Sequence, residues 1–170
     1  ATDQYFSATI MRISRYTAIG PNYNTVDYNS RLVLLGETRK TGVALLHESH
    51  STGQLVFGTD GTLLATVGDG ASYNNVDTGS DAGTYFAQAL VDSIIKPKEN
   101  VGAMRSQLVD CHNGKLLRID PNTGNGVPSN PYYDPAEPRA PRSRVWAMGL
   151  RNPFRMTKRP GTGSTNPADG

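Results

Sequence analysis

A chain of 170 residues is long enough for one globular core, and 36% hydrophobic against 19% charged residues argues against disorder. The formal charge of +2, with no basic run longer than a pair, advertises neither a nucleic-acid nor a membrane surface. Its single cysteine, Cys111, excludes an internal disulfide, and no apolar stretch is long enough for a membrane span.

The first residues, Ala1 to Ser7, carry no basic and apolar leader pattern, and the start reads as mid-domain. Phe6 to Tyr16 alternates in part and predicts a strand. Pro21 to Asn29, with repeated Asn and Tyr, predicts a loop, and Arg31 to Leu35 a second strand. The clearest feature is a hairpin. Gln54 to Phe57 and Leu63 to Val67 flank Thr59-Asp60-Gly61, where Asp-Gly tolerates positive φ.

Gly68 to Gly83 is rich in Gly, Asn, Asp and Ser and predicts a long loop. From Tyr85 to Ile95 a short helix is expected, because Phe86, Leu90 and Ile94 recur every four residues, and Pro97 should end it. Lys115 to Ile119 predicts a strand closed by the turn Asp120 to Gly124. Val127 to Arg144 is punctuated by proline, and Arg144 to Met148 predicts a last strand. Hairpins, long loops and little helix indicate an all-β architecture, in which a propeller and a sandwich are both open.

Three segments narrow the field. His50-Ser51-Thr52-Gly53-Gln54-Leu55-Val56-Phe57 runs through the hairpin to Val67-Gly68-Asp69-Gly70. Gly114-Lys115-Leu116-Leu117-Arg118-Ile119-Asp120 follows, and then Val145-Trp146-Ala147-Met148-Gly149-Leu150-Arg151-Asn152-Pro153-Phe154-Arg155. In this order and spacing they resemble the soluble PQQ-dependent glucose/sorbosone (aldose sugar) dehydrogenase family. Each segment alone is a weak match; three in register are hard to obtain by chance.

The resemblance implies a six-bladed β-propeller that holds pyrroloquinoline quinone (PQQ) over its channel with calcium assisting. At roughly 40–50 residues per blade this chain would supply two to three blades, the rest coming from the parent chain. The calcium ligands are then expected outside this segment. A periplasmic or extracellular setting, an aldose substrate and an external electron acceptor are implied in the same way, and the segment alone is expected to be inactive.

His50 falls on the family's catalytic base, which takes the proton of the sugar C1 hydroxyl while hydride leaves for the quinone. Imidazole suits that work because it ordinarily titrates near neutral pH. Asp69 falls on the carboxylate that orients the histidine, and a carboxylate at one ring nitrogen fixes which nitrogen carries the proton. Arg151 and Asn152 fall on the pair that contacts the quinone's reactive carbonyl, where fixed positive charge stabilises developing negative charge. The plain alternatives are a loop histidine, a turn aspartate and an arginine ending a strand.

Other residues receive lesser roles. His47 and His112 are expected at the surface, Trp146 in a core or between blades, and Tyr73, Asn74, Asn75 and Asp77 beside a sugar site. Asp77 and Asp81 fit no standard calcium loop. Ser49 stands where the glucose branch has an acid, with Glu48 one place back, so sugar choice is open. The rival function is a non-catalytic propeller that binds carbohydrate or protein.

Overall fold

The computed structural model describes residues 7–169. Eight strands form three antiparallel sheets. β1 (Thr9–Met11) pairs with β4 (Val43–Leu45), and β2 (Ile13–Ile19) pairs with β3 (Thr25–Leu35). The remaining four, β5 (Thr52–Phe57), β6 (Leu63–Val67), β7 (Lys115–Ile119) and β8 (Val145–Met148), lie side by side in chain order. That up-and-down meander has the form of a propeller blade.

Position in the meander explains composition. β6 and β7 are central and covered on both faces, so Leu63, Ala65, Val67, Leu117 and Ile119 are buried, in register Leu63 to Ile119 and Ala65 to Leu117. β5 lies at the edge and alternates between half-buried and exposed, leaving Leu55 and Phe57 open. The meander packs on Ile13, Leu34, Leu35 and Val43 from the two ribbons to make one core. A second core forms where Ala8, Ala44 and Leu46 meet Ala89, Ile94 and Ile95. β4 serves both, because successive side chains in a strand point to opposite faces: Val43 enters the first core and Ala44 the second.

The hairpin turn forms where expected. Thr62 N–H and its hydroxyl both donate to Asp60 Oδ1, at 3.1 and 2.7 Å, and Gly61 adopts φ of 78°. Lys115–Ile119 matches its predicted strand. Several expectations need correction. The stretch from Phe6 to Tyr16 is two strands belonging to different sheets, divided at Arg12, whose Nε donates to the Gly36 carbonyl; Phe6 itself lies outside the described residues. The loop expected to reach Asn29 gives way to β3 at Thr25, since pairing with β2 recruits residues whose composition favours turns.

Helix also exceeds the one short element expected. α1 (Phe86–Val91) stops before Ser93, which is left-handed at φ 57°, well ahead of Pro97. Pro97 instead opens a 3-10 turn, Pro97–Glu99, closed by Lys96 N–H on Glu99 Oε2 at 2.7 Å. A second 3-10 segment, Gly102–Gln107, and α2 (Pro141–Arg144) complete the set. No helix among the described residues is long and apolar enough to cross a membrane.

Candidate functional site

Three loops converge at one end of the meander: 47–51 entering β5, 68–73 leaving β6, and 149–153 leaving β8. Backbone hydrogen bonds lace them together. Gly68 N–H donates to the Ser51 carbonyl at 2.6 Å, Gly70 N–H to the His50 carbonyl at 3.1 Å, and Asp69 N–H to the Arg151 carbonyl at 2.9 Å. Glycine is required at 68, since a Cβ there would run into the His50 carbonyl.

The lacing brings three predicted site residues into one array. His50 Nδ1 lies 2.9 Å from Asp69 Oδ1, and Arg151 Nη1 lies 3.0 Å from His50 Nε2. A carboxylate only accepts and a guanidinium only donates. Nδ1 therefore carries the ring proton and Nε2 presents its lone pair to Arg151. His50 and Asp69 are buried, whereas Arg151 is exposed. His50 also adopts φ of 57°, a conformation non-glycine residues rarely take and one that concentrates at functional sites. Asn152 is exposed next to Arg151 and makes no hydrogen bond to the array.

Asp69 is held at every polar atom of its backbone. Besides its N–H bond to Arg151, its carbonyl accepts from Arg105 Nε at 2.9 Å, and its Oδ1 also accepts from Ala71 N–H at 2.9 Å. Arg105 is 1% exposed and reaches the Glu99 carbonyl through Nη1 at 3.3 Å. Burial pushes its guanidinium down from the ordinary range, and Asp77, Asp69 and Glu99 oppose that shift. Behind it, Lys115 Nζ is capped by the carbonyls of Arg105, Ser106 and Asn113, at 3.0, 3.0 and 2.6 Å. Burial lowers the lysine to about 8.

Neither cation was anticipated for the site. Lys115 belongs to one of the three recognised segments, but backbone carbonyl partners leave no mark in a sequence. Arg105 lies in 3-10 structure without a hydrophobic period. His47 and His112, expected at the surface, are both 4% exposed. His47 packs edge-on against the Tyr73 ring, with centroids 4.8 Å apart, because the 47–51 and 68–73 loops meet. Its Nδ1 is 3.3 Å from Glu48 Oε2 but misaligned, and it makes no hydrogen bond. His112 lies under Arg144, whose Nη1 is 3.3 Å from His112 Nε2. Trp146 is half-buried beneath the Arg118 guanidinium, 4.9 Å from the ring centroid.

Asp77 and Asp81 serve their own loop, accepting from Gly79 N–H at 2.9 Å and Gly83 N–H at 2.7 Å. No group of three or more His, Cys, Asp or Glu side chains is placed to hold a metal ion among the described residues. A cavity of about 560 Å³ opens at the opposite end of the meander, between the Asp60 and Asp120 turns. Its carboxylates are already engaged, Asp60 by Arg118 and Asp120 by Asn122 N–H. A family model described as Glucose / Sorbosone dehydrogenase matches residues 27–165, a span that contains all three loops and the whole meander.

Proposed function

Because the chain belongs to the glucose/sorbosone dehydrogenase family, whose fold is a β-propeller, we propose that it carries the base end of a quinoprotein that oxidises the C1 hydroxyl of an aldose to a lactone. The observation that carries this reading is the buried His50–Asp69 pair, with the exposed Arg151 on His50 Nε2. In this proposal the other blades, and the calcium ligands, come from elsewhere in the parent chain.

The donor set fits the reactive end of PQQ. An exposed guanidinium and an exposed amide on consecutive residues suit carbonyl oxygens, and the guanidinium stands at Nε2 of the base. PQQ, when bound, supplies the acceptor for the hydride that leaves C1. The remaining work falls to the chain. His50 Nε2 takes the hydroxyl proton as the C1–H bond breaks and the C1–O bond becomes a carbonyl. Asp69 accepts the Nδ1 proton's hydrogen bond throughout and stabilises the imidazolium that results. Arg151 now covers the Nε2 lone pair; its exposed side chain is free to give up that contact when a hydroxyl arrives, and to turn its charge toward the carbonyl end.

Titration of the full-length protein with PQQ and calcium, followed by turnover of aldoses with an artificial electron acceptor, tests the reading. Replacing His50→Ala should lower kcat by roughly 10²–10⁴-fold with cofactor binding retained. Absence of cofactor binding, or unchanged turnover in that variant, would overturn it. Binding of cofactor or sugar without turnover would favour the non-catalytic module.

A further inference from the structure

We propose that Arg105 is a positioning residue for this reaction: from the 3-10 segment Gly102–Gln107 it fixes the backbone of Asp69, and so holds the Asp69 carboxylate in line with His50 Nδ1. The inference rests on His50 being the base.

Asp69 sits at the start of a loop rich in small polar residues. Its N–H and carboxylate are tied to the neighbouring loops, which are tied in turn to the start of β7 where the Gly68 carbonyl accepts from Gly114 N–H at 2.8 Å. The carbonyl bond from Arg105 ties the backbone of Asp69 itself to the 3-10 segment. That element is anchored in turn, because the Lys115 ammonium, rooted in central strand β7, grips the Arg105 and Ser106 carbonyls, and Gly149 N–H donates to the Ser106 carbonyl at 3.0 Å. A continuous chain of hydrogen bonds thus runs from the middle of the sheet through Lys115 and Arg105 to Asp69, His50 and Arg151.

Stability alone is a poor account of Arg105. Its Nη2 is buried without a hydrogen-bond partner, its carbonyl acceptors are neutral, and no carboxylate closes on it with bidentate geometry. A buried cation in that state costs desolvation that an apolar side chain of similar volume would avoid. What the planar fork supplies is fixed geometry, spanning the Asp69 and Glu99 carbonyls from one rigid group.

The test pairs a spectrum with kinetics, both on the full-length protein. In ¹⁵N-histidine-labelled protein without cofactor, His50 should show a single Nδ1-protonated tautomer. Arg105→Met should turn that signal into an average of tautomers and lower kcat about tenfold with KM within twofold, and Arg105→Lys should restore most of both, since its ammonium can still reach the Asp69 carbonyl. A folded Arg105→Met protein with the native His50 signal overturns the proposal. Should that variant not fold, Arg105→Gln decides: it keeps donors for the buried carbonyls but is too short to span them, so a changed signal supports the role and a native one refutes it. If the wild type turns over no aldose, the proposed function fails while the spectrum still decides whether Arg105 positions the pair.

Discussion

The two ends of the four-stranded meander each bury a cation and a carboxylate, and they use them in opposite ways. At the Asp60 end, Arg118 donates to Thr62 Oγ1, Ser129 Oγ, Asn130 Oδ1, Asp60 Oδ2 and the Pro167 carbonyl, and lies over Trp146. Every arm of that guanidinium is satisfied. At the His50 end, the buried side-chain atoms left without hydrogen-bond partners among the described residues collect: His47 Nδ1, Ser49 Oγ and Arg105 Nη2. A left-handed histidine stands among them, and Arg151 is exposed. One end is satisfied within the fold, and the other leaves buried polar atoms without partners. Fully satisfied networks hold structure, whereas departures from local rules cluster where function needs them.

That contrast can be broken by exchanging matched substitutions. Asp69→Asn should cost the most in activity: the amide can present its NH2 to Nδ1 and favour the wrong tautomer, leaving Arg151 facing an N–H. A fall in kcat of roughly 10²–10⁴-fold is expected, with melting temperature little changed. Steady-state kinetics and thermal melts of the same preparation check both halves. A large loss of stability with normal kcat would reverse the roles of the two ends.

Asp60→Ala should do the converse. It leaves Arg118 buried with its neutral partners only, and removal of one member of a buried pair destabilises by about 3 kcal/mol. The turn also loses the acceptor for Thr62. Denaturant unfolding should register this, while kcat per folded molecule stays native. The Asp60 carboxyl lies below its ordinary range because, although burial alone raises it, the hydrogen bonds of Arg118 and Thr62 outweigh that. Its contribution is therefore present above pH 3.8 and is lost as acid protonates it below that value.

The same contrast explains what could be read without coordinates. The hairpin and β7 were legible because apolar runs there are bounded by residues that can only turn, such as Asp60-Gly61. His50, Asp69 and Arg151 were legible through the register of three segments, and the fold brings them within hydrogen-bond distance. The ribbons were legible only in part, since the pattern predicts strands at Phe6 to Tyr16 and Arg31 to Leu35 but not at β4 or the start of β3. β4 has three residues, too few for a period, and Arg12 divides two strands only because they join different sheets. Buried cations were invisible for a different reason. Charge is ordinarily a surface signal, and Arg105, Lys115 and Arg144 escape that rule by bonding backbone carbonyls, which every residue possesses.

The smallest effect expected separates two histidines near the same end of the sheet. His50 has a carboxylate at Nδ1, while His112 has the Arg144 guanidinium at Nε2 and a backbone hydrogen bond with Gly42. Burial first, and then the charge of Arg144, lower His112 from 6.5 to about 3, so the folded protein keeps it neutral where the unfolded chain takes up a proton. Above pH 6.5 both states are neutral and nothing is lost. Between 6.5 and about 3 the unfolded chain binds the extra proton, and stability must fall as pH falls. At 1.36 kcal/mol per unit this amounts to about 2 kcal/mol by pH 5. His112→Gln should flatten that part of the profile whatever it does to stability at pH 8, because glutamine does not titrate. If the slope of melting temperature against pH between 5 and 7 is unchanged in the variant, His112 is not the group that makes the fold acid-sensitive in that range.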